Sequence, residues 1–390
     1  MVTEAKINIA ASPKIKIKTD YDFLIVGSGF AGSVMAERIA SQLNKRVMVV
    51  EKREHIGGNA YDFYDSSGVL VHKYGPHIFH TNYEDVWKYI SSFADWNGYQ
   101  HRVLAYIDGK KVPVPINLTT VNTMLDKNFT TNELMDYFES VKLRPGTINN
   151  SKDVIVSQVG EFFYEKIFKN YSFKQWGVYP DELLSEVTER IPVKYNSDDR
   201  YFSDRYQGLP LGGYTKLFEK LLSNSNITVM LNMDYKSAMD NVRFGSLIYT
   251  GPIDYFFDYK YGKLPYRSLE LKFETLNREQ FQEAAVINYP NDYEFTRITE
   301  FKHMTLQRHP QTTILREYPS WEGDPYYPTL IEDAVRTYNK YKEETLRLQS
   351  AYFIGRLAEY KYYNMDKVIK SALDTFELIA QKKTKISGSI

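Results

Sequence analysis

The sequence predicts an α/β fold, and three patterns carry that reading. A short apolar run is followed at once by three spaced glycines, a second apolar run ends in an acid, and a later stretch alternates apolar with polar residues. The first two patterns form one unit. Phe23-Leu24-Ile25-Val26 reads as a buried parallel strand, and Gly27-Ser28-Gly29-Phe30-Ala31-Gly32 follows in the order that the G-x-G-x-x-G fingerprint requires. Gly27 permits the tight turn, Gly29 lets main-chain N–H groups approach a pyrophosphate, and Gly32 lets the next helix pack closely on the strand. The positive end of that helix then faces phosphates.

A second strand, Arg46 to Val50, ends at Glu51, 19 positions after Gly32, where a carboxylate would hold ribose hydroxyls and repel a 2′-phosphate. Gly57-Gly58-Asn59 then offers a second glycine turn to the same pyrophosphate. A glycine-rich turn alone can be purely structural. Strand, triple glycine, spaced acid and second glycine pair together point to a dinucleotide site, and the pair after the acid favours FAD over a nicotinamide.

Composition narrows the classes. Lys plus Arg equals Asp plus Glu at 49 each over 390 residues, so no global basic field points to nucleic acid or an anionic membrane. The absence of cysteine excludes disulfides, thiolate metal sites, iron–sulfur clusters and thiol nucleophiles. Residues 1–19 lack the continuous apolar segment of a secretion signal, and no apolar run approaches membrane-spanning length, so a cytoplasmic protein is expected. Most of the 33 tyrosines and 22 phenylalanines must fill the core, while a subset could line a cleft for a base or sugar.

Residues 1–20 read as a loose extension or a short extra strand. Tyr74 to His80 is a turn carrying His77 and His80; Gly75-Pro76 argues against the helix that a metal half-site would need, so contact with cofactor edge or substrate is the preferred role. Val86, Trp87 and Ile90 have helical spacing, and Val103 to Val114 alternates as two strands turning at Asp108-Gly109. Thr130 and Glu133 form a capping box, and Val154 to Tyr171 repeats apolar residues as one helix that Gly177 closes. Strands at Ile227 to Leu231 and Leu247 to Tyr249 return to α/β style, and Tyr266 to Tyr318 reads as an antiparallel sheet. A helix from about Leu330 to Leu346 and a strand at Ala351 to Ile354 follow. Asn364 is a candidate N-cap for a last helix, whose N-terminus would favour an anionic reduced flavin.

The chain after residue 20 resembles the bacterial UDP-galactopyranose mutases. The match rests on Val26 to Gly29, Glu51-Lys52-Arg53 with His55 to Ala60, His77 to Thr81, Lys174 to Gly177, Tyr201 to Gly208, Tyr249 to Pro252, Pro325 to Pro328 and Gly355 to Tyr363. The resemblance implies a Rossmann-like FAD domain made of residues 21–95, 205–262 and 330–381, with an inserted helical substrate domain at 117–185. It further implies a twisted antiparallel sheet domain at 96–116, 186–204 and 263–329, leaving a mobile tail at 382–390.

The activity implied is interconversion of UDP-galactopyranose and UDP-galactofuranose without net redox change: N5 of reduced FAD attacks the anomeric carbon, UDP departs, an iminium forms and the ring contracts. NAD(P)H could be the external reductant, and a homodimer working in polysaccharide biosynthesis is the family expectation. By motif, Arg190 and Arg297 hold the departing pyrophosphate, and His77 and His80 lie beside flavin and sugar. Phe168, Tyr171 and Trp176 form the uridine site, while Tyr201, Tyr327 and Tyr362 bond the diphosphate. Gly27, Gly29, Gly32, Glu51, Lys52, Gly58, Asn59, Arg356, Asn364 and Met365 serve the cofactor, and no metal is called for. Departures from the family pattern at Pro76, Lys194 and Asn364 leave another nucleotide-linked hexose, deoxyhexose or heptose as an alternative substrate, and an oxidase of amine-oxidase-like fold as an alternative class.

Overall fold

The computed structural model describes residues 7–9, 20–189 and 192–387. Five parallel strands form the first sheet, in the order Ala351–Phe353, Arg243–Tyr249, Asp20–Val26, Val47–Val50, Ile227–Met230. Phe23, Leu24 and Ile25 are all buried because both faces of this sheet are covered, which is why the strands read as unbroken apolar runs. One face packs Phe23, Ile25, Val47 and Val49 against the helix Phe30–Gln42 and the last helix, Met365–Ser387. The opposite face packs Leu24, Met48, Val50 and Leu247 against the short helix Tyr235–Asn241. The first strand begins at Asp20, inside the expected extension, and Ile9 makes an isolated parallel bridge to Val229 at the sheet's edge.

The second sheet has seven strands in the order Tyr327–Pro328, Tyr266–Leu276, Thr312–Ser320, Arg297–Glu300, Val286–Asn288, Val103–Ile107, Lys110–Val114. Its pairings are antiparallel except one: Val286–Asn288 runs parallel to Val103–Ile107. The expectation of an antiparallel sheet is corrected to that extent. These two strands are far apart in the chain, so no hairpin dictates their relative direction.

The helical layer covers this sheet with Leu118–Leu125, Thr131–Val141, Ser151–Phe163 and Asn170–Trp176. The capping box is present: Thr130 N–H donates to Glu133 at 2.8 Å, and Glu133 N–H to Thr130 Oγ1 at 3.4 Å. A second one, unanticipated, is made by Asn117 and Thr120. The single helix expected from Val154 to Tyr171 is instead interrupted twice. Gly160 has φ 77° where Val141 O leaves no room for a side chain, and Tyr164–Lys169 is a π-helical turn. Periodicity of three and four survives both interruptions, so the sequence conceals them. The last helix extends to Ser387, past position 382 where a tail was placed, because nothing between those positions breaks a helix.

Asn117 is fully buried, caps its helix through Thr120 N–H at 2.9 Å and donates to Asp198 O at 3.3 Å. Asn117→Ala is expected to lower unfolding free energy by about 1–2 kcal/mol in urea titrations, the usual worth of a buried cap. An unchanged midpoint would contradict that role.

Candidate functional site

A cleft of about 690 Å³ lies at the carboxyl ends of the parallel strands. Glycines make its floor. Gly27 has φ 95° and donates its N–H to Val50 O at 2.8 Å, and a side chain there would meet Thr250 Oγ1 at 2.2 Å. Gly29 and Gly58 stand back to back: a Cβ on Gly58 would lie 2.9 Å from Gly29 Cα. Gly32 faces inward instead, where a Cβ would come within 1.9 Å of Gly27 O, so its part is to let the helix seat on the strand. Gly29 caps the helix Phe30–Gln42 without a side-chain bond, so the free N–H groups of the first turn are offered to the cleft beside Phe30 and Ala31. Helix polarity and the bare glycine cradle fit a pyrophosphate.

Glu51 ends the second strand with its carboxylate buried. Oε2 accepts both Ser28 N–H at 3.0 Å and Ser28 Oγ–H at 2.8 Å, and Oε1 accepts Arg53 N–H at 3.0 Å. The acid therefore braces the glycine turn and keeps acceptor capacity for one hydroxyl on Oε1 rather than for a bidentate grip. Lys52 and Arg53 reach across to Asp324, which follows the strand Thr312–Ser320, at 2.7 and 3.3 Å. Arg53 also donates to Asn59 Oδ1 at 2.9 Å and lies over the Tyr74 ring at 4.2 Å. Burial works against the Asp324 charge, yet Lys52 and Arg53 hold its carboxyl below the usual range. The sheet domain is thus latched to the rim of the cleft.

His77 lines the cleft and keeps its Nδ1 2.9 Å from Gly75 O. His80 does not line it: its ring stacks on Phe202 at 3.6 Å and its Nδ1 meets Asp204 Oδ2 at 2.8 Å. Arg356, Met365 and Val368 close the far wall. Arg356 donates to Tyr363 O at 2.7 Å, and Asn364, just ahead of the last helix, accepts Val368 N–H at 3.1 Å.

Arg356 also joins the cleft to a ring of aromatic side chains, its guanidinium 5.8 Å from the centre of Tyr362. Trp176 stands 4.8 Å from Tyr362 and 6.1 Å from Tyr327, and these two tyrosines are 5.8 Å apart. Arg297 enters the same region, paired at 2.8 Å with the fully buried Glu317. Burial alone would weaken the Arg297 charge, but Glu317 and the neighbouring Tyr171 and Tyr327 hold its pKa well above the ordinary value. Burial raises the Tyr171 phenol, with Arg297, Tyr201 and Tyr362 around it, and raises Tyr327 to about 12. Tyr201 packs against His101 at 5.6 Å. Phe168 lies in the π-helical turn against the core of the helical layer, a cluster that Tyr201 also borders. Arg190 lies outside the described residues.

Several residues of the site escaped the sequence. Glu317 could have been found as an acid on the inward side of an alternating strand, and Thr250 within its Gly-Pro turn. Trp321 and Asp324 reach the cleft from a loop with no such signal.

His72, His77 and His101 are each held down to about 3 by burial, so they stay neutral in the folded protein. Unfolding returns them to the ordinary value near 6.5, where they take up protons as pH falls. Stability is thus full above about 6.5 and declines as pH drops from there toward 3. Urea midpoints measured from pH 7.5 to 4.5 should fall, and His101→Gln should flatten the fall. An equal slope in that variant would contradict a neutral buried His101.

Two family models match the chain: UDP-galactopyranose mutase over residues 166–362, and NAD(P)-binding Rossmann-like domain over residues 25–93. A probable UDP-galactopyranose mutase of Klebsiella pneumoniae is 36% identical over 91% of this chain and 93% of its own length. A dTDP-fucopyranose mutase of Escherichia coli is 35% identical over 91% of this chain and 97% of its own. Among solved structures, that of a reduced UDP-galactopyranose mutase superposes with a TM-score of 0.76 at 18% identity, covering 93% of this chain and 94% of the other. A match to half the sequence by the family model, and relatives above 30% identity along almost all of it, establish that the chain belongs to the UDP-galactopyranose mutase family.

Proposed function

We propose that the protein interconverts the pyranose and furanose forms of UDP-galactose with bound, reduced FAD, and that Arg190 and Arg297 flank the diphosphate. Arg297 carries the reading: a permanently charged guanidinium, anchored by buried Glu317, stands beside Tyr171 and Tyr327, in a group of rings that Arg356 of the dinucleotide cleft reaches at Tyr362. Breaking a glycosyl–phosphate bond places new negative charge on the leaving diphosphate, and a cation already held in position stabilises it without reorganising. Bidentate geometry makes arginine better suited to this than lysine.

FAD in its reduced form would supply the nucleophile for the anomeric carbon, which accounts for a site that holds no thiol and no serine–histidine pair for that task. The chain's own groups bind and orient. Glycines 27, 29 and 58 and the helix start at Phe30 hold the cofactor's pyrophosphate, while Glu51 takes one ribose hydroxyl. Lys52 and Asn59 line its rim, and Arg356 and Met365, with Asn364 just ahead of the last helix, would border its reactive ring. Trp176 and Tyr171, with Phe168 behind them, hold the uridine, and the hydroxyls of Tyr201, Tyr327 and Tyr362 reach the diphosphate. His77 and His80 lie on the sugar side. With its phenol raised to about 12, the Tyr327 hydroxyl remains a donor throughout the physiological range.

No helix among the described residues is long and apolar enough to cross a membrane. We place the reaction in the cytoplasm, with NAD(P)H as reductant, a homodimer as the working form and polysaccharide biosynthesis as its destination.

Incubation of dithionite-reduced protein with UDP-galactofuranose should yield UDP-galactopyranose, and oxidised protein should not. Arg297→Ala should lose at least about a hundredfold in kcat while still binding FAD. A panel including dTDP-fucopyranose separates the sugar question from the chemistry: turnover of that sugar alone would keep the chemistry and replace the substrate. No isomerisation of any nucleotide sugar by reduced, FAD-loaded protein would overturn the proposal.

A further inference from the structure

The histidine loop is held from beneath by a residue that neither its motif nor its family match singles out. His72 ends the strand Leu70–His72 and has no solvent exposure. The main-chain N–H of His77 points at its Nδ1 at 3.0 Å. Pro76, with no N–H of its own, makes that donor the first available after Gly75. A ring nitrogen that accepts carries no proton, so the proton of His72 sits on Nε2. Tyr214 and Phe301 flank the ring at 5.6 Å each, fixing its plane.

His77 obeys the same logic in reverse. Its Nδ1 lies 2.9 Å from Gly75 O, and a carbonyl can only accept, so that nitrogen holds the proton and Nε2 keeps a lone pair. The residue lines the cleft. Neutral His77 therefore keeps its free acceptor on Nε2. The loop is also packed against the arginine anchor: Gly75 has φ 88°, and a Cβ there would lie 3.2 Å from Glu317 Oε1.

We infer that His72 is a positioning residue of this site: as the neutral Nε2–H tautomer it takes the His77 main-chain N–H, and so holds the loop in the conformation where Gly75 O keeps His77, which lines the cofactor cleft, as the Nδ1–H tautomer with an acceptor on Nε2. A hydrogen-bond acceptor there suits a ligand N–H or hydroxyl and discriminates against a ligand carbonyl or anion. A small pocket of about 30 Å³ borders the His72 ring between Asp62, Asn97 and Tyr214, room for one water to receive the Nε2 proton. The kinetic arm of the test rests on the mutase reading above; the spectroscopic and binding arms do not.

The full chain, labelled with ¹⁵N-histidine, would be compared as wild type, His72→Asn, His72→Gln and His72→Leu by long-range ¹H–¹⁵N correlation at pH 7. FAD affinity would be measured on the same four proteins. Asn places an acceptor where Nδ1 stood, whereas Gln and Leu do not. Wild type should show His72 protonated at Nε2 and His77 at Nδ1, and His72→Asn should keep the His77 tautomer with FAD affinity within about twofold. His72→Gln and His72→Leu should mix the His77 tautomers and weaken FAD about tenfold, the loss expected for one buried hydrogen bond. In turnover they should lower kcat and leave the KM for nucleotide sugar unchanged. If His72→Leu does not fold, the contrast between Asn and Gln decides. A His72 protonated at Nδ1, or Asn and Gln variants that behave alike, would overturn the inference.

Discussion

A side chain on Gly58 would come within 2.9 Å of Gly29, and the rest of the site is arranged around that approach. One glycine opens the helix that follows the first strand, and the other lies in the turn after Glu51. Their contact brings two stretches of bare main chain to the carboxyl edge of the parallel sheet, where strand ends and a helix start already favour a bound anion. Glu51 completes the arrangement from within. By bonding Ser28 through both N–H and hydroxyl, it spends most of its acceptor capacity on holding the turn.

Next to this cleft stands a group of aromatic rings. The mixed sheet and the helical layer bring Trp176, Tyr327 and Tyr362 together, and Arg356 bridges them to the cofactor side. Arg297 remains charged inside because Glu317 is buried with it; an arginine alone at that depth would carry a heavy desolvation cost. The Lys52–Asp324 and Arg53–Asp324 pairs tie the two halves at the rim, partly exposed and therefore of small energetic weight, but suited to fixing relative position. Neutral histidines fill the space between. Burial holds both His77 and His101 neutral, although Arg297 is near each of them.

Much of this was legible in the sequence where a local rule governs the outcome. The strand–glycine–helix unit, the Asp108-Gly109 hairpin, the Thr130 capping box and the left-handed Gly177 that ends the substrate helix each follow from a few adjacent residues. The readings that changed depend on distant partners. Gly160 kinks its helix because Val141 O lies across from it, and the strand Val286–Asn288 runs parallel to one 183 residues earlier because no turn constrains it. The contacts of His80 with Asp204 and of His72 with the His77 main chain also depend on the tertiary fold. Spacing along the chain cannot reveal which main-chain N–H a buried histidine will meet.

The claim on which all else depends is that the bond between the anomeric carbon and the diphosphate is broken and remade beside Arg297. Positional isotope exchange tests it most directly: UDP-galactopyranose carrying ¹⁸O in the glycosyl bridge, incubated with the reduced protein and followed by ³¹P NMR. The account predicts that the label scrambles from the bridge into the non-bridging oxygens of the β-phosphate, and that Arg297→Ala slows this scrambling together with turnover. Ring forms that interconvert while the label stays in the bridge would show that the bond is never broken, and would contradict the account.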